Sequence, residues 1–265
     1  MIEHQERLVS VRNGRFQVAV LEGGSGEPLV YLHGIEGLSG WDSNLDQLAQ
    51  DHHVYAVYQP GVGNSSGLED LDDVWDLVLF YEELLDSLGL DRVALVGHSY
   101  GGMMAAELAA HCPSRIKSLV LISPLGIWLD EQPMRDFFIF TPQERAEHYW
   151  FDSTSEAAKA ELVTPEDAME KVEADLARTK TMIAIAKFTW PIPERGLKKR
   201  THRIKSPTLI VWGSGDGVSP PVYGQEFQKL IPGSQLQVLE GCGHNPHLEC
   251  GQQFHSALSG FLKGS

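Results

Sequence analysis

A serine set between glycines, Gly97-His98-Ser99-Tyr100-Gly101, follows the apolar run Val93 to Val96 and precedes the small-residue stretch Gly101 to Ala110. A serine hydroxyl is a weak nucleophile until a base takes its proton, and it has to project from a sharp turn to meet that base. Glycines on both sides permit the turn, and Gly102 extends the tolerance into the first helical turn. The pattern predicts Ser99 as a nucleophile, against the plainer reading of a glycine-rich turn with an idle serine.

The base must come from elsewhere in the chain. His244 sits in Gly241-Cys242-Gly243-His244-Asn245-Pro246, just after the last apolar run, and is the candidate. His247 is the nearest rival and reads as a helix-surface or capping residue, while His52 and His53 begin a strand and His98 is an elbow position. A base needs a third group to fix its tautomer, and Trp212-Gly213-Ser214-Gly215-Asp216 supplies Asp216 in the preceding loop. Charge developing on a carbonyl oxygen calls for fixed donors, predicted here as the backbone N–H groups of Tyr100 and of Ile35 in His33-Gly34-Ile35-Glu36-Gly37. Glu36 would disfavour an anionic substrate if it faced the site; an outward-pointing acid is the simpler reading.

These residues need a scaffold. Apolar or β-branched runs recur at Leu8 to Val11, Phe16 to Leu21, Leu29 to Leu32, Val54 to Tyr58, Val93 to Val96, Leu119 to Ile122, Leu209 to Trp212 and Leu236 to Leu239, and read as eight strands. Asn13-Gly14 marks a hairpin between the first two; helix-length spacers elsewhere favour parallel crossovers, so the sheet is mixed and mostly parallel. Between Leu68 and Gly89 the apolar positions step by three and four, which predicts a helix packed on the sheet. From Leu125 to about Lys205 the strand rhythm stops, and Thr141-Pro142, Thr164-Pro165 and Pro191-Ile192-Pro193 punctuate amphipathic segments such as Glu166 to Arg178. A helical cap over residues 125–205 is expected on a core formed by residues 1–124 and 206–265, covering the strand ends where open α/β sheets bind ligands. Its many aromatics read as the packing of the cap rather than as site residues.

Taken together, His33-Gly34, Pro60-Gly61-Val62-Gly63-Asn64-Ser65, the Ser99 elbow, Trp212-Gly213 to Asp216 and Gly243-His244 to Glu249 resemble the α/β-hydrolase fold superfamily over nearly the whole chain. The resemblance is to its capped branch of small esterases, carbon-carbon hydrolases and cofactor-free haloperoxidase-like enzymes. It implies an α/β-hydrolase fold with helices on both faces of an eight-stranded sheet, the triad order Ser99, Asp216, His244, and hydrolysis of a small carboxylic ester through an acyl-enzyme without a cofactor. Carbon-carbon bond hydrolysis is the rival activity, and a non-catalytic ligand receptor is the rival of another class. Two positions depart from the pattern: Gln59 stands where an acid is common, and Asn245 stands where the carbon-carbon hydrolases place a Trp. Serine at the elbow disfavours the Asp-nucleophile branches, hence epoxide hydrolysis and haloalkane dehalogenation.

Composition narrows the partners. A net charge of −15 argues against nucleic acid, and the basic triplet Lys198-Lys199-Arg200 reads as a solvated loop. Met1 to Ser10 is too polar for a secretory signal and no apolar window suits a membrane span, so a cytoplasmic enzyme acting on a small molecule is expected, with a homodimer left open. Three cysteines, none in C-x-x-C spacing, suggest free thiols in a reducing compartment. Cys242, His244 and His247 lack a fourth ligand at a known spacing, so no metal site is assigned.

Overall fold

In the computed structural model, which describes residues 2–192 and 194–264, the eight apolar runs become β1 (His4–Val11), β2 (Phe16–Gly24), β3 (Glu27–Leu32), β4 (His52–Val57), β5 (Val93–His98), β6 (Ile116–Ile122), β7 (Thr208–Gly213) and β8 (Gln235–Leu239). They form one sheet in the order β1-β2-β4-β3-β5-β6-β7-β8. The β1–β2 and β2–β4 pairs are antiparallel and the other pairs are parallel. The hairpin signal at Asn13-Gly14 is realised with positive φ at Arg12, Asn13 and Gly14. Met1 and Pro193, named in the sequence reading, lie outside the described residues.

Alternate side chains of each strand enter two separate cores. Val18 and Val20 of β2 and Val93 and Leu95 of β5 face α2 (Val74–Ser87), α3 (Tyr100–His111) and α7 (Val222–Leu230), after α1 (Ser43–Leu48). Ala19 and Leu21, Ala94 and Val96 face the opposite side, with α1 and the C-terminal helix of Gly251–Lys263. Each fully buried aliphatic side chain contributes roughly 1.5–3 kcal/mol, so this two-sided burial fixes the strand register. The α2 helix starts later than Leu68 because the Asp73 side chain accepts from the Trp75 and Asp76 amides and caps it there, while Leu68–Asp70 forms a separate 3-10 turn.

Between β6 and β7 the chain builds α4 (Pro142–Tyr149), α5 (Glu156–Ala160) and α6 (Ala168–Thr189). A Thr141/Glu144 capping box with Pro142 at the first position sets the start of α4. Asp167 caps α6, which runs on past Arg178 to Thr189 because Ala184, Ile185 and Phe188 give its second half a buried face. This insertion lies over the C-terminal ends of the strands: Thr181 meets Gly37 after β3, Ala184 meets Gly61 after β4, and His148 meets Gly217 after β7. Its basic end is less free than a solvated loop. Arg200 makes a two-pronged pair with buried Glu107 at 2.7 and 2.6 Å, anchoring the insertion to α3, and Lys198 donates to the Trp128 carbonyl within the insertion. No helix among the described residues is long and apolar enough to cross a membrane.

The cysteine expectation is corrected. Cys242 and Cys250 form a disulfide, leaving Cys112 as the free, buried thiol. The chain doubles back after β8 through the short helix α8 (Pro246–Glu249) into α9 (Gly251–Lys263), which brings the two Cα atoms to 6.1 Å. That spacing in space suits a disulfide, whereas a separation of eight residues in sequence carries no such signal.

Candidate active site

Ser99 stands between β5 and α3 with φ 52° and ψ −115°, a backbone conformation costly for any residue with a Cβ. It is held there by its N–H donating to Ile122 O at 2.8 Å and by its carbonyl accepting from Met103 and Leu125. The flanking glycines are needed for close approach. A Cβ on Gly97 would lie 2.3 Å from Gly101 O, and one on Gly101 would lie 2.2 Å from Leu32 O, so larger residues would push α3 off the sheet.

The structure brings the three predicted side chains together. Ser99 Oγ lies 2.8 Å from His244 Nε2, and His244 Nδ1 lies 2.8 Å from Asp216 Oδ2. An ionised carboxylate only accepts, so Nδ1 carries the proton and Nε2 presents its lone pair to the serine hydroxyl. The acid is itself fixed: Asp216 Oδ1 accepts from the Val218 and Ser219 amides, both at 2.9 Å, and Oδ2 accepts from Ser219 Oγ at 3.3 Å. Ser99 is fully buried and His244 is 1% exposed.

The two predicted donor amides are available. Tyr100 opens α3, so its N–H has no acceptor within the helix, and Ile35 N–H has no partner among the described residues. The Ile35 loop is braced by His33, whose Nδ1 donates to Gly34 O at 2.8 Å while Nε2 accepts from the Gln59 amide at 3.4 Å. Burial pushes the His33 ring down to about 4, keeping it neutral in that role. Gln59, in place of the common acid, is fully buried; its side-chain amide approaches the Tyr100 hydroxyl without meeting hydrogen-bond geometry.

A residue without a role in the sequence reading organises the base loop. Glu249 Oε1 accepts from the amides on either side of the base, Gly243 at 2.8 Å and Asn245 at 3.3 Å, and Oε2 accepts from Phe151 of the insertion at 2.7 Å. The His244 N–H donates to Tyr149 O at 2.8 Å, and Gly217 N–H donates to His148 O at 3.1 Å. The backbone of residues 148–151 is thus threaded between the acid loop and the base loop. Gly243 permits this, because a Cβ there would lie 2.6 Å from Tyr149 O. From below, His98 Nε2 donates to the His244 carbonyl at 2.9 Å. His247 is neither a surface residue nor a second base: it is buried, its ring centroid 4.4 Å from that of His98 at a tilt of 50°, with Nε2 3.4 Å from the Tyr31 hydroxyl.

A cleft of about 450 Å³ is walled by Gly34, Glu36, His98, Trp150, Glu161 and Asn245 among others; it borders the chain neighbours of Ser99 and His244, while the triad side chains themselves do not line it. Glu36 lines this cleft and remains solvent-exposed. Its side chain meets the solvent of the cleft while being ringed by protein, and this burial, with the Glu161 charge, lifts its carboxyl above the usual range. The Tyr149 hydroxyl, buried, approaches Glu36 without meeting hydrogen-bond geometry.

Known proteins share this architecture. The chain is 28% identical over 256 residues to the dihydrolipoyllysine-residue acetyltransferase component of the acetoin cleaving system of Cupriavidus necator, covering 92% of this chain but only 65% of that protein's length. It is 28% identical over 280 residues to a 2-hydroxy-6-oxononadienedioate/2-hydroxy-6-oxononatrienedioate hydrolase of Paraburkholderia phymatum, covering 97% and 95% of the two chains. Among solved structures, a serine hydrolase from the polyaromatic-hydrocarbon-degrading bacterium Cycloclasticus zankles superposes with a TM-score of 0.80 at 20% identity, over 99% of each chain. With residues 27–249 matching the family described as alpha/beta hydrolase fold, the chain belongs to that family.

Proposed function

We propose that this protein is a serine hydrolase that transfers the acyl group of a small carboxylic ester to water. The observation that carries the reading is the unbroken row Ser99 Oγ, His244, Asp216, with both links at 2.8 Å, beside the Ile35 and Tyr100 amides, which have no partner among the described residues. His244 Nε2 takes the Ser99 proton as Oγ attacks the ester carbonyl, and the Ile35 and Tyr100 N–H groups hold the resulting oxyanion. Collapse of the tetrahedral intermediate returns that proton to the leaving alkoxide and leaves an acyl-serine. Water then attacks this ester with His244 again as base, releasing the carboxylic acid and restoring the serine. Throughout, Asp216 stabilises the imidazolium and keeps its orientation.

Carbon-carbon bond hydrolysis is the second reading, favoured by the likeness to the Paraburkholderia phymatum dienedioate hydrolase. Asn245 after the base and the Glu36 carboxylate in the cleft weigh toward the ester, since a dienedioate brings negative charge of its own. The test is intact-mass spectrometry after fluorophosphonate treatment of the parent, Ser99→Ala and His244→Ala, followed by turnover of short aryl esters beside a dienoic keto acid. One adduct mapping to Ser99, lost in the first variant and slowed in the second, with ester turnover ahead, is the expected result. Ester hydrolysis persisting in Ser99→Ala would overturn the assignment, and a folded parent that takes no label would move the reading to a ligand receptor.

A further inference from the structure

The first half of α6 stands away from the rest of the chain. Every residue from Glu166 to Lys180 is exposed apart from half-buried Arg178. A helix of this length without packing is marginal in water, and apolar side chains on it add to the cost. Yet Met169, Val172, Leu176 and Ile183 are 66%, 59%, 51% and 58% exposed. At 3.6 residues per turn these positions fall within an arc of about 60° and run for roughly 21 Å along the axis. They form a straight apolar seam on the solvent side, while Ala184, Ile185 and Phe188 form the buried side.

Charges beside the seam say what fits it. Glu173 and Lys180 are both exposed and lie seven residues apart on the same edge of the seam. In an antiparallel helix pair, like edges meet. A two-fold axis near Leu176 gives one register in which Leu176 packs on its symmetry mate, Met169 meets Ile183 of the second copy, Val172 lies along the stem of Lys180 of the second copy, and Glu173 meets the charge of that Lys180, twice over; on the opposite edge Asp175 approaches its own symmetry mate, a repulsion that the two Glu173–Lys180 pairs offset. We propose that this seam of α6 is a homodimer interface, closed by antiparallel packing against α6 of a second copy. Such an interface is self-complementary, as two-fold symmetry requires. A lipid surface suits the seam less well, because Glu166, Asp167, Glu170, Glu173 and Asp175 crowd the same half of the helix.

Mass measurement by light scattering across a dilution series tests this, with near-ultraviolet circular dichroism confirming that each variant is folded. The parent is expected at twice the 29.3 kDa chain mass, and Leu176→Lys at the single-chain mass. Glu173→Lys sets a lysine against Lys180 of the other copy in both symmetry-related pairs and is expected to weaken the dimer roughly tenfold or more. The double variant Glu173→Lys with Lys180→Glu restores it by exchanging the partners of each pair. A parent that is monomeric at every concentration overturns the proposal, as does a dimer indifferent to Leu176→Lys or a double variant as weak as Glu173→Lys. Co-sedimentation of the parent with phosphatidylcholine vesicles, lost in Leu176→Lys, would assign the seam to a lipid surface instead. None of these readouts depends on ester hydrolysis, so failure of the catalytic reading leaves the test intact.

Discussion

Glu249 and Phe151 lie 98 residues apart in sequence and are joined by a 2.7 Å hydrogen bond from the Phe151 amide to Oε2. The other oxygen of the same carboxylate holds the two amides that flank His244. One side chain therefore sets the seat of the base and its contact with the insertion. In Glu249→Ala three amides lose their acceptor, and stability is expected to fall by roughly 2–3 kcal/mol in urea unfolding. Turnover is expected to fall more than substrate affinity, because the misplaced group is the base. Glu249→Gln keeps one acceptor oxygen and should lie between the two; a parent-like kcat in the alanine variant would remove the positioning role.

The strained backbone at Ser99 separates chemistry from stability. Glycine adopts a φ of 52° without a Cβ clash, so Ser99→Gly is expected to be more stable than Ser99→Ala by roughly 1–2 kcal/mol, with both variants inactive. Thermal or urea unfolding of the pair measures the difference, and equal stability would mean that the turn carries no such cost.

Asp216→Asn retains the size of the acid and an oxygen for the Val218 and Ser219 amides. It offers an NH2 group where His244 Nδ1–H now donates, which favours the opposite ring tautomer and takes the lone pair from the side facing Ser99. A loss of roughly 10⁴-fold in kcat with little change in folding is expected, the size seen when a triad acid is neutralised. Steady-state kinetics on an aryl ester checks it.

Acid should unfold this protein early. His33 and His247 are pushed down from 6.5 to about 4 and about 3 by burial, and His98 is lowered well below its ordinary value by burial and by His247. Their folded pKa values lie below the unfolded ones, so the unfolded chain binds more protons as pH falls below 6.5 and stability falls with it. Three such rings give a slope of up to about 4 kcal/mol per pH unit between about pH 4 and 6. Urea unfolding at a series of pH values measures the slope. Replacing His247 by Phe should flatten it by about one proton.

The strands and the Ser99, Asp216, His244 row were legible because each rests on local signals: an apolar run, a glycine-flanked turn, a loop after a strand. The Cys242–Cys250 pair was not, since an odd cysteine count hides which two approach and only the fold of the base loop brings them together. Glu249 reads as one acid among many until three amides are seen to converge on it. Glu36 illustrates the limit from the other side: it is exposed, as an acid beside a turn suggests, and yet it lines a cleft that the insertion helps to wall. The length of α6 was underestimated for a related reason: its second half is helical through burial against the core, whereas the amphipathic pattern of Glu166 to Arg178 describes the half that has no core to face.

The threading of residues 148–151 makes the insertion indispensable in a way that its place above the sheet would not suggest. Trimming residues 125–205 to obtain a minimal, open enzyme would strip the His148 and Tyr149 carbonyls from Gly217 and His244 and leave the Oε2 atom of Glu249 without its donor. The shortened chain would keep all three triad residues and lose the frame that aligns them. A graft of another protein's insertion onto this sheet would succeed only if it brought a backbone strip of the same shape, a helix end followed by an extended residue. For engineering, the smallest transferable catalytic unit is the triad together with this strip.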